Sequence, residues 1–451
     1  MAHPADGGLR FSGVGTLFLL FLLLPLSLAA GDRGEVEDLS RLVAQALAEN
    51  SELAASEARW RMTVSRVDQA TALPDPMVML KIQNALLRDP LNFRREAMTA
   101  KVIGISQEFP FQGKRGLKGE IAAKEGESLR WSHEERRLEL VRMVKETYYR
   151  LYDIDRELAL VERNITLLDT LVSLVQTRYS VGQTAQQDVL KAQIERSRME
   201  EMRITLTQER RSLETTMNAL LNRPSATPVG AIPELKEEPL GKSSEELEQL
   251  AYRHRPLLKS YQALVAKGGA AQRLAQREYY PDVTLSLEYM QRDPVMGEPG
   301  DDMYSLGVTF NLPLQRGSRR AMTSESAAES SMAQAELAAT RNSIRAAIAD
   351  KVAQLERRQQ LLELYRTGLI PQASQGLESA TIGYQVGKVD VMNVLDSRST
   401  LYGYERDYFR MKADYAMGMA ELEALVGVEL SYQALDSVPS SSGTPAAGVS
   451  P

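Results

Sequence analysis

"RYSVGQTAQQDVL" occupies residues 178–190, and "GYQVGKVDVMNVL" occupies residues 383–395. Tyr179, Val181, Gly182, Val189 and Leu190 recur in register as Tyr384, Val386, Gly387, Val394 and Leu395, 205 residues further on. Solenoid repeats have periods of about 20–50 residues, so a spacing this wide means that a whole folding unit is duplicated. The chain must fold the same way twice, and whatever surface the Gly turn builds occurs twice.

Each turn joins two long helices. Val141, Val144, Tyr148, Leu151, Ile154, Leu158, Val161, Ile165, Leu168, Val172 and Val175 recur at threes and fours, with no Pro or Gly across 128–181. Apolar spacing sustained this far is a coiled-coil stripe. With "GKRGLKGEIAAKEGES" wound in, it predicts a helix of about 60 residues, about 90 Å at 1.5 Å per residue. Past Gly182 the pattern resumes through Leu206, Leu213, Met217 and Leu220, and it stops at "NRPSATP" because Pro224 cannot continue a helix. The second copy winds from about Ala321 to Gly387, with a kink expected at Pro371, and returns over Asn393 to Val426. The hairpins are thus expected over about 114–222 and 320–427.

Matching strand pairs precede the hairpins, at about 76–84 and 101–109, then at about 282–290 and 304–312. Each copy reads helix, strand, strand, long helix, tip turn, long helix. Val283, Leu285, Leu287 and Tyr289 alternate with Thr284, Ser286, Glu288 and Met290. Tyr304, Leu306, Val308 and Phe310 alternate with Ser305, Gly307, Thr309 and Asn311, and Val78, Leu80 and Ile82 with Met79, Lys81 and Gln83. Period two gives one apolar and one polar face. Such a sheet is either half-buried in a soluble protein or part of a transmembrane barrel with a wet lumen. Four strands cannot close a barrel, since membrane barrels start at about 8. An open edge in lipid leaves N–H and C=O groups without partners. Two chains would supply eight strands around a filled interior; three would supply twelve around a pore.

The ends place the chain. Arg10 precedes the apolar run "TLFLLFLLLPLSL", and Ala29 and Ala30 follow it, which reads as a secretory signal peptide over residues 1–30. No later segment stays apolar for about 18 residues, as a membrane helix must. The expected organisation is a first repeat over 31–230, a second over 231–430, and a flexible Ser/Pro/Gly/Ala-rich tail over 431–451. A net charge of −6 speaks against nucleic acid as a partner. Zero cysteines exclude a disulfide scaffold, thiol catalysis, cysteine-held metal and a lipid on an N-terminal cysteine. No metal cluster, phosphate loop or nucleophile motif stands out. Glu134–Glu135 and Glu200–Glu201 read as solvated helix faces. No enzyme, cofactor or metal site is expected.

Taken together these features resemble the TolC-like outer-membrane efflux proteins of Gram-negative bacteria. The carriers are "YSVGQTAQQDVLKAQ", "YQVGKVDVMNVLDSRSTLY", "LPDP", "ISQEFPFQGKRG" and "YYPD", in order across about residues 35–430. The resemblance implies a mainly α fold with a small β part: a homotrimer whose twelve-stranded barrel in the outer membrane continues into an α-helical coiled-coil tunnel through the periplasm. The implied function is the exit duct of a tripartite efflux system. An inner-membrane transporter feeds it through a periplasmic adaptor, which docks on the tips at Val181, Gly182, Val386 and Gly387. "ISQEFPFQGKRG" leans toward the subgroup serving heavy-metal cation exporters. Met77 and Met79 stand where they would line the pore, although packing is the commoner role for Met in a strand. The resemblance also implies a periplasmic gate, with Asn393 and Asp396 on the inner side of the second return helix and Asp188 and Gln187 opposite Tyr384. A Tyr384–Asp188 hydrogen bond is the expected link; the family's basic partner aligns with Val389, beside Lys388. The alternative is a periplasmic adaptor or coiled-coil scaffold with no channel, which explains the helices but not the duplicated strands.

Overall fold

The computed structural model describes residues 37–430 apart from 91, 237, 238, 296 and 298. The expected leader and tail lie outside the described residues. In the first copy, α1 (Leu39–Glu49) and α2 (Ser51–Thr71) precede β1 (Met77–Gln83), β2 (Ala100–Phe109), α3 (Lys114–Ser180) and α4 (Gln186–Leu220). In the second, α5 (Ser244–His254) and α6 (Pro256–Arg277) precede β3 (Val283–Arg292), β4 (Met303–Phe310) and α7 (Arg316–Leu364). A π-helical turn (Tyr365–Leu369), α8 (Ile370–Gln385) and α9 (Val391–Val426) complete it.

The single helix expected before each strand pair is broken in two. Asn50 ends α1 and caps α2, accepting from the Glu52 and Leu53 N–H groups, while its amide donates to the Leu220 carbonyl at 3.0 Å. Arg255, 205 residues on, donates to the Leu425 carbonyl at 3.3 Å. Each break therefore satisfies a carbonyl orphaned at the end of its return helix. Glu135 serves the second break and is not a solvated face: it accepts from Arg255 Nη2 at 3.0 Å and from the Leu257 N–H at 3.0 Å. At the first turn of α6 the helix dipole favours that carboxylate. The return helices also end alike, with Asn222 at φ 52° and Gly427 at φ 82°.

Helix α3 has 67 residues, about 100 Å at 1.5 Å per residue, and runs from sheet to tip. Its predicted stripe faces inward: Val144, Leu151, Val161, Leu168 and Val175 are fully buried. One core cluster joins Leu42, Leu151, Met217 and Leu221; its second-copy counterpart joins Leu247, Leu258, Leu422 and Val426. A third, toward the tips, joins both hairpins through Leu168, Val189, Tyr384 and Leu395. The kink expected at Pro371 takes the form of the π-turn just before it. Proline has no N–H and crowds the carbonyl four residues back, so the hydrogen-bond ladder shifts there.

The four strands form one antiparallel sheet in the order β1-β2-β3-β4, with β2 of the first copy paired to β3 of the second. Lys114 fixes the sheet to the helices. Its buried ammonium lies 2.9 Å from Asp282 and 3.1 Å from Glu278, and the Phe111 ring stacks on Tyr280 at 4.6 Å. "FPFQGK" and "YYPD" are thus two halves of one joint.

Candidate functional site

The sheet is inside out relative to a soluble protein. Val78, Ile105, Leu287 and Leu306 fall in one row across the four strands, and Leu80, Ile103, Tyr289 and Tyr304 in the next. This apolar face is exposed on every strand, with Leu80 76% and Leu306 78% accessible. The other face carries Lys81, Ser106, Ser286, Glu288 and Ser305, and Lys81 reaches across Gly104 to pair with Glu288 at 3.3 Å. Among the described residues of one copy, β1 and β4 are each paired along one edge only. In water such edges and such a face are liabilities; in lipid they are a barrel sector awaiting its neighbours.

At the other end the two tips share one geometry. Gly182 and Gly387 both sit at φ 73°. The Gly182 N–H donates to Tyr179 O at 3.0 Å and the Gln183 N–H to Arg178 O at 2.8 Å; Gly387 and Lys388 repeat this toward Tyr384 and Gly383 at 3.0 and 2.8 Å. These are paired C-cap bonds around a left-handed residue. Val181 and Val386 stand exposed beside them.

Within one copy the expected Tyr384–Asp188 hydrogen bond is not made. The Asp188 carboxylate accepts instead from Thr184 Oγ1 at 2.5 Å, in the first turn of α4 where the helix dipole also holds it. Tyr384 is buried, and its hydroxyl makes no hydrogen bond of ordinary geometry among the described residues; burial pushes its pKa up against the pull of nearby Arg178 and Thr184. The contact that joins the tips comes from Arg178. Its guanidinium lies 4.7 Å from the Tyr384 ring centre, and Nη2 donates to the Gln385 carbonyl at 2.6 Å. Val389 packs on Gly383, and Lys388 is exposed within one copy.

Asn393 and Asp396 are exposed on α9, opposite buried Val394, Leu395 and Arg398. Asn393 is tied to the cap of its own helix, donating to Asp390 Oδ1 from N–H at 3.1 Å and from Nδ2 at 3.0 Å. Gln187 is exposed at the start of α4. Further up lies a buried cross-link that periodicity does not reveal. Arg398 donates to Asn164 Oδ1 and to Glu195 Oε2, each at 3.2 Å, and Tyr402 donates to Glu157 at 3.3 Å. Burial depresses the Arg398 pKa and raises that of Tyr402. The available signal was Asn164 itself, a polar residue inside the apolar stripe.

The family model described as outer membrane efflux protein matches residues 42–223 and 247–428, one match per copy. Among curated proteins, the cobalt-zinc-cadmium resistance protein CzcC of Cupriavidus metallidurans is 24% identical over 249 residues. That match spans 54% of this chain and 57% of the relative, little more than half of its length. Among solved structures, VceC from Vibrio cholerae has a TM-score of 0.74 at 18% identity, covering 87% of this chain and 97% of its own. CusC has a TM-score of 0.75 at 14% identity, covering 90% and 96%. With both copies matched by the family model, and with the twin hairpins and strand pairs that the solved structures share, the chain belongs to the outer membrane efflux protein family.

Proposed function

We propose that three copies of this chain join edge to edge into a twelve-stranded barrel, whose lumen continues into a tunnel of helical hairpins. The assembly is the exit duct for cargo delivered by an inner-membrane transporter. The single observation that carries this is the exposed apolar face flanked by two open strand edges. Three sets of four strands make the smallest closure that leaves a pore.

The tips lie about 100 Å from the barrel. There the exposed Val181, Val386, Tyr179 and Leu190 offer apolar ground to a periplasmic adaptor, and Gly182 and Gly387 shape the turns. The gate forms on the inner side, with Asp396 and Asn393 facing the axis and Asp188, Gln187 and Tyr384 flanking it. Three Asp396 carboxylates around one axis attract cations and repel one another. A heavy-metal cation as cargo is supported by the likeness to a protein named for cobalt, zinc and cadmium resistance.

Native mass spectrometry of the mature chain in detergent should give three copies, and planar bilayers should show discrete channels. A detergent-free monomer that forms no channels overturns the reading.

A further inference from the structure

The four strands contain four methionines, Met77, Met79, Met290 and Met303, and alternation puts all four on the polar, inward face. The outward face has none; its apolar positions are Val, Leu, Ile, Phe and Tyr. Methionines serving only as apolar filler belong against lipid, or against a packed core, not on the wet side of a barrel.

The register stacks them in levels. Met77 shares a row with Ser286 and Gly307, and Met79 shares the next with Gly104 and Glu288. Met290 is paired directly with Met303 one row further, in line with Lys81. Rows on one face are about 7 Å apart, so thioethers stand at three successive levels over about 14 Å. At the middle level, the Met79 methyl carbon and Glu288 Cγ each come within 3.2 Å of where a Gly104 Cβ would stand. They lean together over a floor that only glycine leaves open. Lys81, 3.3 Å from Glu288, balances the carboxylate, which leaves the Met79 sulfur as the uncharged donor at that level.

We propose that this ladder is a relay for soft monovalent cations, Ag⁺ or Cu⁺, passed from thioether to thioether through the barrel; it rests on the pore reading above. Thioethers are ligands for soft ions and poor ones for Zn²⁺ or Co²⁺. Neutral ligands repeated at short intervals give the weak, multi-site binding that lets an ion enter and also leave.

The test uses the mature protein in planar bilayers with potassium nitrate, as wild type and with Met77, Met79, Met290 and Met303 all changed to Leu. Discrete potassium conductance establishes the pore; if the wild type does not conduct, the pore reading falls and the relay with it. With conductance present, micromolar silver nitrate should interrupt the wild-type current. The four-Leu variant should need at least about tenfold more Ag⁺ for the same fractional block of its own potassium current. Zn²⁺ should act equally on both. A control with Met332→Leu and Met392→Leu, exposed methionines outside the sheet, should behave as wild type. If the four-Leu variant does not assemble, Met79→Leu and Met303→Leu singly, read by equilibrium dialysis of the detergent-purified protein against Ag⁺, should each bind more weakly. Equal Ag⁺ sensitivity in the lumen variant and the wild type overturns the relay, as do single variants that bind Ag⁺ like wild type.

Discussion

The Arg178 guanidinium lies 4.7 Å from the centre of the Tyr384 ring and donates to the neighbouring Gln385 carbonyl at 2.6 Å. The end of α3 thereby grips the end of α8 within one copy. Contacts of these two kinds are worth about 1–2 kcal/mol each. Arg178→Ala is expected to raise channel opening in planar bilayers by about tenfold. Tyr384→Phe keeps the ring under Arg178 and removes a hydroxyl with no hydrogen bond of ordinary geometry among the described residues, so it should change less than Arg178→Ala. If Tyr384→Phe opens the channel as strongly as Arg178→Ala, the link belongs to the hydroxyl after all.

Asp396 is exposed on α9, one helical turn beyond Asn393. Its replacement by Ala is expected to weaken block by multivalent cations added on the periplasmic side, with little change in stability. An unaltered blocking concentration would remove Asp396 from the lumen ring.

Two glycines with positive φ should respond differently. At Gly427 a Cβ would stand 2.9 Å from Arg255 Cα and 3.2 Å from the His254 carbonyl carbon, so Gly427→Ala combines strain with a backbone clash. A loss of about 1–3 kcal/mol is expected in thermal unfolding. At Gly387 no atom of the described residues lies near a Cβ, and Gly387→Ala should cost only about 1 kcal/mol, confined to the tip. Gly387→Val should impair adaptor crosslinking while leaving barrel insertion intact. Wild-type crosslinking by an inserted Gly387→Val protein would detach the turn from docking.

The sequence showed what periodicity can show. The α3 stripe, the alternating strands and the two Gly turns are regular patterns, and each appears in the structure where the spacing puts it. The breaks at Asn50 and Arg255 carry cap signals, Asn before Ser51-Glu52 and Pro256 at a first helical position, but continuous helical pattern on both sides hides them. The tip contacts were harder because they depend on competition between partners. Asp188 has Thr184 four residues away, a local partner that wins over Tyr384. Arg178 sits in the tip motif itself, yet in sequence it reads only as a basic residue in a last helical turn. Arg398 pairs with Asn164 across 234 residues, a distance no local pattern spans.

Acid dependence offers a separate check on the helical body. Burial lifts the Asp153 carboxyl to about 6, against the opposing pull of Arg410, with Glu157, Asp414 and Glu209 adding to the rise. A carboxyl whose pKa rises on folding destabilises the fold when ionised. That penalty is full above about 6 and vanishes as the pH falls below its ordinary value of 3.8. Asp153→Asn is therefore expected to raise the melting temperature at neutral pH and to leave it nearly unchanged in strong acid. Equal shifts at both would point to packing instead.

The pairing of β1 in one copy with β4 in the next is the core of the account. The chain has no cysteine, so any disulfide reports only the pair introduced. Within one copy, β1 and β4 are separated by two strands, about 14 Å, too far for a disulfide, which needs Cα atoms within about 7 Å. A cysteine at Val78, combined with one placed in turn at each position from 304 to 308, should on mild oxidation yield covalent dimers and trimers in the native register and nothing larger. Monomers in every register, or a ladder that continues past three copies, would contradict the trimeric barrel.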